Sequence, residues 1–378
     1  MPNVDPRTVI LLAGVMSAFM ALVMFSLKRS YPPSIRGLNE WGIALLMVAV
    51  GSALAFGLGS LPNFASITLP RILFPTSLFL AYVGIKRFFG ETPRFAPWLV
   101  LIAATVVTQM WFTYQTPDYA ARLRLSGALS VCLLVAFMNL VRRQGLTSFA
   151  RVLTMGVLVS MCGIVAIRFI TALLWPVGDD IYDATPQHFV YLSALSVFIL
   201  LLAVSMVLLA AERLHTEVAY LASHDSLTNA LTRRHMSEVC AIELERSQRH
   251  SRCMALMVID LDYFKAINDT YGHLRGDQVL IDFVAKVYGL LRRPDQLARF
   301  GGEEFVVLLP ETSLDEALDV AERIRAACAE PGSEPNCTVS IGVTTNVLIR
   351  DTVESLVARA DAAMYRAKTQ GRNRVVSG

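Results

Sequence analysis

The stretch Arg299–Phe305 reads RFGGEEF and is followed directly by the apolar run Val306–Leu309. Two adjacent glycines favour a tight turn, and they allow a ligand to approach the backbone closely. Two adjacent carboxylates, Glu303 and Glu304, are costly to crowd together at such a turn without a cation. A divalent metal with a phosphate-bearing substrate suits this arrangement. The stretch therefore predicts a hairpin that carries an acidic site.

A second acidic position, Asp260, ends a predicted buried strand. Alone, an aspartate there is more often a cap or turn residue, but beside an acidic turn it can complete an oxygen-ligand site for Mg²⁺. Apolar spacing around it predicts the order α-β-α-β-β-α-β-α. The predicted helices are Arg234–Gln248, Gly276–Leu291, Leu314–Ala329 and Thr352–Gln370, and the strands are Met254–Asp260, Gln296–Arg299, Phe305–Leu309 and Thr338–Thr345.

These segments resemble the GGDEF family of diguanylate cyclases, in its G-G-E-E-F form. Phe264–Asp277 is similar to the family's F-K-x-[IV]-N-D-x-x-G-H-x-x-G-D segment at every defined position, and Ala367–Asn373 is similar to its A-K-x-x-G-[RK]-[ND] tail. The resemblance implies an α+β, nucleotide-cyclase-like GGDEF domain that condenses two GTP molecules into cyclic di-GMP. It also implies a homodimer, because the reaction needs two nucleotides held face to face.

The resemblance assigns roles to individual residues. Asp260, the Leu261 carbonyl and Glu303 would hold Mg²⁺ or Mn²⁺, and Glu304 would assist deprotonation of the ribose 3′-oxygen or hold a second metal. Asn268 and Asp277 would bind the guanine edge. The phosphates would contact the backbone N–H groups of Tyr263 and Phe264 and the side chains of Lys265, Lys368 and Arg372. The plainer alternatives are a turn at Asn268, a helix cap at Asp277, and helix-dipole contacts by Lys368 and Arg372.

Two further segments bear on regulation. Arg292 and Asp295 form an R-x-x-D that ends six residues before Gly301, where the family has its product-inhibition site, with Arg323 as a candidate second arm. Alone, an R-x-x-D is usually a surface pair. Asp225–Arg234 resembles the family's D-x-L-T-G-L-x-N-R-R segment. It departs at Asn229, Ala230 and Thr232, of which Asn tolerates a left-handed backbone and Thr can still cap a helix.

The 378-residue chain divides by composition. Up to Ala211 it carries 14 Lys and Arg against 7 Asp and Glu, and from Glu212 it carries 20 against 24. Mean hydropathy is +0.50, too apolar for one ordinary soluble domain. We therefore predict an all-α membrane sensor domain over 1–211, a connecting helix over 212–222 and the GGDEF domain over 223–378. The net charge of +3 gives no argument for nucleic-acid binding.

Seven apolar runs are long enough to cross a bilayer, and we interpret the first as a span, not as a cleaved signal peptide. They are Val9–Leu27, Trp41–Leu58, Ile67–Ile85, Trp98–Tyr114, Leu125–Val141, Val152–Trp175 and Phe189–Ala211. The loops after spans one, three and five carry nine basic residues: Lys28, Arg29, Arg36, Lys86, Arg87, Arg94, Arg142, Arg143 and Arg151. The opposite side carries four, Arg7, Arg71, Arg122 and Arg124, and three acidic residues, Asp179, Asp180 and Asp183. This bias predicts an inner-membrane protein with the N-terminus outside and the GGDEF domain in the cytoplasm.

Two arginines interrupt the apolar runs. Arg71 near the start of the third span is interpreted as snorkelling to the interface, whereas the deeper Arg168 is assigned equally to a ligand or pairing role and to a structural one. From the end of the last span onward, Val207, Ala211, Leu214, Val218 and Leu221 recur at spacings of four and three. The stripe favours a coiled-coil dimer, with packing on the chain's own domain as the alternative.

The sequence leaves three candidate functions for the whole chain. The first is a membrane-anchored diguanylate cyclase, a nucleotidyltransferase. The second is a catalytically silent receptor that binds GTP or cyclic di-GMP, and the third is a transporter with a regulatory appendage. The intact acidic pair disfavours the receptor, and the lack of a clear broken-helix pair disfavours the transporter. The six cysteines show no C-x-x-C spacing and are predicted to be reduced packing residues.

Overall fold

A computed structural model describes residues 6–93, 95–175, 186–330, 335–346 and 351–378 of the chain. Four residues used in the orientation argument, Arg94, Asp179, Asp180 and Asp183, lie outside these ranges. The chain forms two compact units, Met1–His215 and Thr216–Gly378. Each unit has its own hydrophobic core.

The first unit is built from long helices joined by short connections. Its helices are α1 Pro6–Ser30, α2 Leu38–Phe56, α3 Leu69–Phe88, α4 Ala96–Tyr114, α5 Tyr119–Arg143, α6 Phe149–Leu174 and α7 Pro186–Ser223, and a π-helical turn, Phe64–Thr68, leads into α3. All seven predicted apolar runs are helices, and each helix has the length and composition needed to cross a bilayer. The large apolar side chains exposed on α1, α4 and α6 are typical of a surface that faces lipid.

Helix α7 continues without interruption beyond the apolar run to Ser223. The predicted stripe on this helix divides into two parts. Val207 and Leu214 pack against the core of the first unit, as the alternative interpretation proposed. Val218 and Leu221 are 55% and 65% exposed. Only the end of the stripe therefore presents an apolar surface that a second chain can cover.

The second unit is an α+β domain. Its elements are β1 Leu231–Thr232, α8 Arg233–His250, β2 Met254–Leu261, α9 Phe264–Tyr271, α10 His273–Leu290, β3 Gln296–Gly301, β4 Glu304–Pro310, α11 Leu314–Ala329, β5 Val339–Thr345, α12 Val353–Thr369 and β6 Val375–Ser377. All eight elements predicted here are present, with ends that agree to within a few residues. Three short elements, β1, α9 and β6, were not predicted.

The six strands form one sheet in the order β1-β3-β4-β2-β5-β6. The strands β3, β4, β2 and β5 pair antiparallel with their neighbours, and the short edge strands β1 and β6 pair parallel. Every residue of the central strand β2 is buried, because both faces of the sheet are covered. Ala255, Met257 and Ile259 pack with α10 and α11, whereas the alternate residues pack with α8 and α12. The acidic end of β2 is thus held by a rigid scaffold.

All six cysteines are free thiols, as the sequence predicted. Their predicted packing role holds for Cys240 and Cys328, which are buried. It is wrong for Cys132 and Cys253, which are exposed.

Candidate active site

The carboxyl end of β2 lies against the acidic hairpin. Asp260 is paired with Glu304 in the register between β2 and β4, and the Leu261 N–H donates to the Glu303 carbonyl at 3.2 Å. A bulge between Arg299 and Gly301 lets β3 turn into β4. The antiparallel pairing of β2 and β4 therefore brings the three predicted acidic residues to one place.

The prediction that the turn itself requires Gly301 and Gly302 is wrong. Neither Gly301 nor Gly302 adopts a positive φ, and a Cβ added at Gly302 would meet no atom within 4 Å. The backbone of the turn therefore does not require glycine. The space around Gly302 is open, and without a side chain the backbone there is accessible to a ligand.

Burial and crowding both act on Asp260. Its side chain is 4% exposed, and burial raises the pKa of the carboxyl to about 6. Lys368 opposes the rise through an ion pair of 2.7 Å between Nζ and Oδ2, while Glu303 and Glu304 add to it. Lys368 was predicted to contact phosphate or the helix dipole, but its partner here is Asp260. A buried carboxylate needs a cation, and α12 packs on β5 closely enough to supply one.

The residues fit a magnesium ion. Among the described residues, no three His, Cys, Asp or Glu side chains form a metal-binding cluster. The donor set implied by the resemblance needs only two carboxylates, Asp260 and Glu303, with the Leu261 carbonyl. Mg²⁺ is commonly held by one or two carboxylates, with water and substrate phosphate completing its shell. The charges of Glu303 and Glu304 still act to raise the pKa of Asp260 in the presence of the Lys368 ion pair.

Helices α9 and α10 bring together the residues predicted to bind guanine. A Cβ added at Gly276 would lie 1.9 Å from Asn268 Oδ1, so the Asn268 side chain lies directly over Gly276, the residue that precedes Asp277. Asn268 lies within α9 and Asp277 within α10, which begins at His273. The alternative readings of these two residues as a turn and a cap are therefore wrong.

Replacing Gly276 with alanine is expected to raise the KM for GTP roughly ten-fold, the cost of displacing one hydrogen bond to the base. The clash is with the end of a side chain, so Asn268 can move aside and the fold should persist. Gly289→Ala on the same helix is the control, because its Cβ would meet no atom within 4 Å. Steady-state kinetics with both variants measure the effect, and an unchanged KM in Gly276→Ala would contradict the role of Asn268.

The residues predicted to bind phosphate surround the start of α9. Tyr263 is left-handed, with φ of 55°, and Phe264 begins the helix. The Arg372 guanidinium lies 4.6 Å from the centre of the Tyr263 ring, and Lys265 is exposed. Free N–H groups at a helix N-terminus favour an anion. Lys265 lies in the first turn of α9, and Arg372 lies over the residue that precedes the helix.

Asp262 was missed by the sequence analysis. Its carboxylate accepts from Thr338 Oγ1, Ser340 Oγ and the Asn373 N–H at 2.7–3.0 Å, and it is 3% exposed. These bonds secure the loop 371–373, whose residues all have positive φ. Asp262 therefore positions Arg372. At the start of β5, polar Thr338 and Ser340 alternate with apolar residues. This alternation is the sequence signal that could have revealed the role of Asp262.

Arg299 is the second positioning residue that was missed. Its guanidinium donates to Asp225 Oδ1 at 3.0 Å and to the Gly302 carbonyl at 2.8 Å. Burial alone would raise the pKa of Asp225, but hydrogen bonds from Thr228 and Arg299 hold it below its usual value. The segment that begins at Asp225 is thus joined to the acidic turn by one side chain.

The structure accommodates the three residues of Asp225–Arg234 that depart from the family's sequence. Asn229 adopts φ of 58°, and its Oδ1 accepts from the Tyr220 hydroxyl at 2.6 Å. Thr232 caps α8 by accepting from the His235 N–H, and Ala230 is fully buried. The predictions for Asn229 and Thr232 are confirmed.

The R-x-x-D segment forms a tight turn before β3. Asp295 is 8% exposed and accepts from the Arg292 N–H at 2.7 Å, so the aspartate caps its own turn. Burial raises the pKa of Asp295, and the charges of Arg292 and Arg323 oppose that rise. Both arginine side chains are exposed. The surface-pair alternative does not describe this turn, whose aspartate is buried.

Comparison with known proteins agrees with this geometry. Residues 222–374 match the family model described as the diguanylate cyclase GGDEF domain. The second unit contains a GGDEF domain. The chain is 40% identical over 168 residues to diguanylate cyclase DgcM of Escherichia coli and 41% identical over 163 residues to the response regulator PleD of Caulobacter vibrioides.

These similarities cover less than half of each protein. They cover 44% and 41% of this chain, and the chain spans 41% of DgcM and 36% of PleD. A solved structure of the coiled coil and GGDEF domain of DgcB from Caulobacter crescentus, in complex with c-di-GMP, is 30% identical. It covers 47% of this chain and 97% of that chain, with a TM-score of 0.44.

Proposed function

We propose that the protein is a membrane-anchored diguanylate cyclase that condenses two GTP molecules into cyclic di-GMP and two pyrophosphates. The observation that carries the proposal is the buried Asp260 beside the Glu303-Glu304 turn, with open space around Gly302. Membership of the GGDEF family supports the same conclusion.

The binding residues divide between the two ends of the nucleotide. Asn268 and Asp277 recognise the guanine edge, since an aspartate can accept from the ring N–H and the exocyclic amine together, which adenine does not offer. Lys265, Lys368 and Arg372 bind the phosphates with the N–H groups of Tyr263 and Phe264. Such contacts fix the α-phosphate for attack by the 3′-oxygen of a second GTP.

Asp260, Leu261 and Glu303 hold Mg²⁺, which would supply positive charge at the α-phosphate; Mn²⁺ suits the same oxygen ligands. Glu304 is exposed at the start of β4 and either accepts the proton of the 3′-hydroxyl or holds a second ion. Two GTP-loaded domains must face each other, so the enzyme acts as a homodimer. The exposed Val218 and Leu221 of α7 are the apolar surface that we assign to this dimer.

The seven helices anchor the enzyme in the inner membrane, with the N-terminus outside and the GGDEF domain in the cytoplasm. Support comes from their length and apolar composition together with the bias of basic residues toward one set of loops. GTP is available on the cytoplasmic side. The boundary at 211 and the connecting helix over 212–222 belong to this proposal.

Cyclic di-GMP also acts as an inhibitor at a second site. Arg292 and Arg323 are exposed beside the buried Asp295, and their guanidinium groups suit the phosphates of the product. An Arg292→Ala variant is therefore expected to keep its initial rate while losing inhibition by added product.

The competing function is a silent receptor that uses the same pockets. Replacing Glu303 with alanine separates the two, because loss of a metal ligand should lower synthesis roughly 100-fold or more. In cells that express the protein, the variant should return cyclic di-GMP to the background level, whereas the exposed-residue control Glu245→Ala should not. Equal nucleotide levels with wild type and Glu303→Ala would favour the receptor.

A further inference from the structure

The first unit encloses a cavity of about 480 Å³ between its helices. Most of its lining is apolar and includes Trp41, Leu45, Leu134 and Met206. A cavity of this size, with apolar walls and a few polar groups, is typical of a small-molecule site. The catalytic chemistry of the GGDEF domain does not use it.

The polar side chains that line the cavity include three arginines and a histidine. Arg71 in the first turn of α3, Arg122 in the first turn of α5, Arg168 near the end of α6 and His188 in the first turn of α7 all line it. Among the described residues that line the cavity, none is Asp or Glu. Tyr119 connects the group, since its hydroxyl lies 3.3 Å from His188 Nε2 and its ring 5.6 Å from the Arg122 guanidinium.

Two of these arginines keep a buried donor without a partner. Within the described parts of the chain, Nε of Arg122 and Nε of Arg168 are buried and make no hydrogen bond. The Arg168 guanidinium contacts His188 Nε2 through Nη2, but its Nε has no partner among the described residues. By contrast, Arg124 donates through Nε to the Ala172 carbonyl at 2.9 Å. A buried unpaired donor is costly, and this cost points to an acceptor that enters the cavity.

We propose that this cavity binds an amphipathic organic oxyanion, with a carboxylate or phosphate head on Arg122 and Arg168 and an apolar body among the helices. The guanidinium fork matches the two oxygens of such a head, and the apolar wall matches the body. A lipid headgroup and a free amphipathic acid share this chemistry. His188 and Tyr191 line the cavity from α7, and this helix continues to Ser223. A ligand in the cavity therefore contacts the helix that leads to the GGDEF domain.

Binding can be measured without reference to cyclase activity. Full-length protein in phosphatidylcholine nanodiscs is titrated with tritiated decanoate, and unlabelled decanoate, decyl phosphate and decanol compete. We expect saturable binding that either anion displaces, whereas decanol requires a concentration at least roughly ten-fold higher. Arg122→Gln and Arg168→Gln should each weaken binding roughly ten-fold or more. Arg124→Gln, two residues along the same helix, should leave it unchanged.

The competitors test the proposal on the wild-type protein, so a variant that fails to fold does not obscure the result. Equal displacement by decanol and decanoate would overturn it. Nanodiscs that contain phosphatidylglycerol distinguish the source, because suppression of decanoate binding there identifies a lipid headgroup, and its persistence identifies a free acid. Decanoate binding is also measured for a triple variant in which Asp179, Asp180 and Asp183 are replaced by asparagine. Binding by this variant but not by wild type would mean that the chain supplies its own anion, which contradicts the proposal.

Discussion

Replacing Asp260 with asparagine is expected to abolish synthesis of cyclic di-GMP and, in the absence of metal, to stabilise the second unit at neutral pH. The loss should be roughly 100- to 1,000-fold in rate, because the amide lacks the negative charge that holds the cation. Most inactivating substitutions of a buried residue destabilise the fold, so a variant that is inactive and more stable is a distinctive outcome.

The sign of the stability effect follows from the pKa of the Asp260 carboxyl. Burial raises it to about 6, against about 3.9 for an unfolded aspartate. Between these two values the folded unit holds one more proton than the unfolded chain, so the free energy of unfolding falls as the pH rises. Above about pH 6 the Asp260 carboxyl is ionised, and the full cost of burying its charge lowers the free energy of unfolding. Asparagine does not ionise, so the variant avoids this cost, on the order of 1–3 kcal/mol.

Urea unfolding of residues 216–378 in EDTA, from pH 4 to pH 8, measures this effect. The difference between wild type and Asp260→Asn should grow from about pH 4 and level off above about pH 6. Asp361→Asn, at an exposed aspartate on α12, is the matched control and should change neither stability nor activity. A variant that is less stable than wild type at pH 8 would show that the Lys368 ion pair outweighs the cost of burial.

Replacing Gly342 with alanine is expected to destabilise the second unit by about 3 kcal/mol or more. A Cβ on this residue of β5 would lie 2.0 Å from the Ala360 carbonyl oxygen and 2.2 Å from the Met364 nitrogen. Both are backbone atoms of α12, so the helix itself must move. Because α12 carries Lys368 and leads into the loop 371–373, affinity for GTP should fall together with stability.

The matched control is again Gly289→Ala in α10. Its Cβ meets no atom within 4 Å, and alanine favours a helix interior over glycine by roughly 0.5–1 kcal/mol. The two variants add the same methyl group and should change the urea midpoint in opposite directions. Equal midpoints for both would mean that α12 and β5 are not packed as closely as these distances require.

The long elements of the second unit were predictable because their apolar spacing is strong. Helix α11 was predicted at its observed ends, Leu314–Ala329, where a capping box of Ser313 and Glu316 marks the start. The strands β1 and β6 have two and three residues, too few to show a period. Helix α9 has eight residues and lies within a segment that was interpreted for its binding residues alone.

The site was only partly predictable for a physical reason. Acidic residues at a strand end and at a turn are visible in the sequence, and antiparallel pairing then brings them together. The contacts of Lys368 with Asp260 and of Arg299 with Asp225 join residues 108 and 74 positions apart, so they depend on how the helices pack. Asp262 is similar, because its partners lie on β5 and beyond α12.

Product analysis of GTP turnover tests the proposed activity most directly. Membranes containing the full-length protein are incubated with Mg²⁺ and GTP, and the nucleotides are separated by chromatography. The proposal predicts cyclic di-GMP and pyrophosphate from the wild-type protein, in a ratio of one to two, and neither from Glu303→Ala. Wild-type membranes that bind GTP but leave it unconverted, at protein concentrations where the dimer forms, would contradict the assignment of a cyclase.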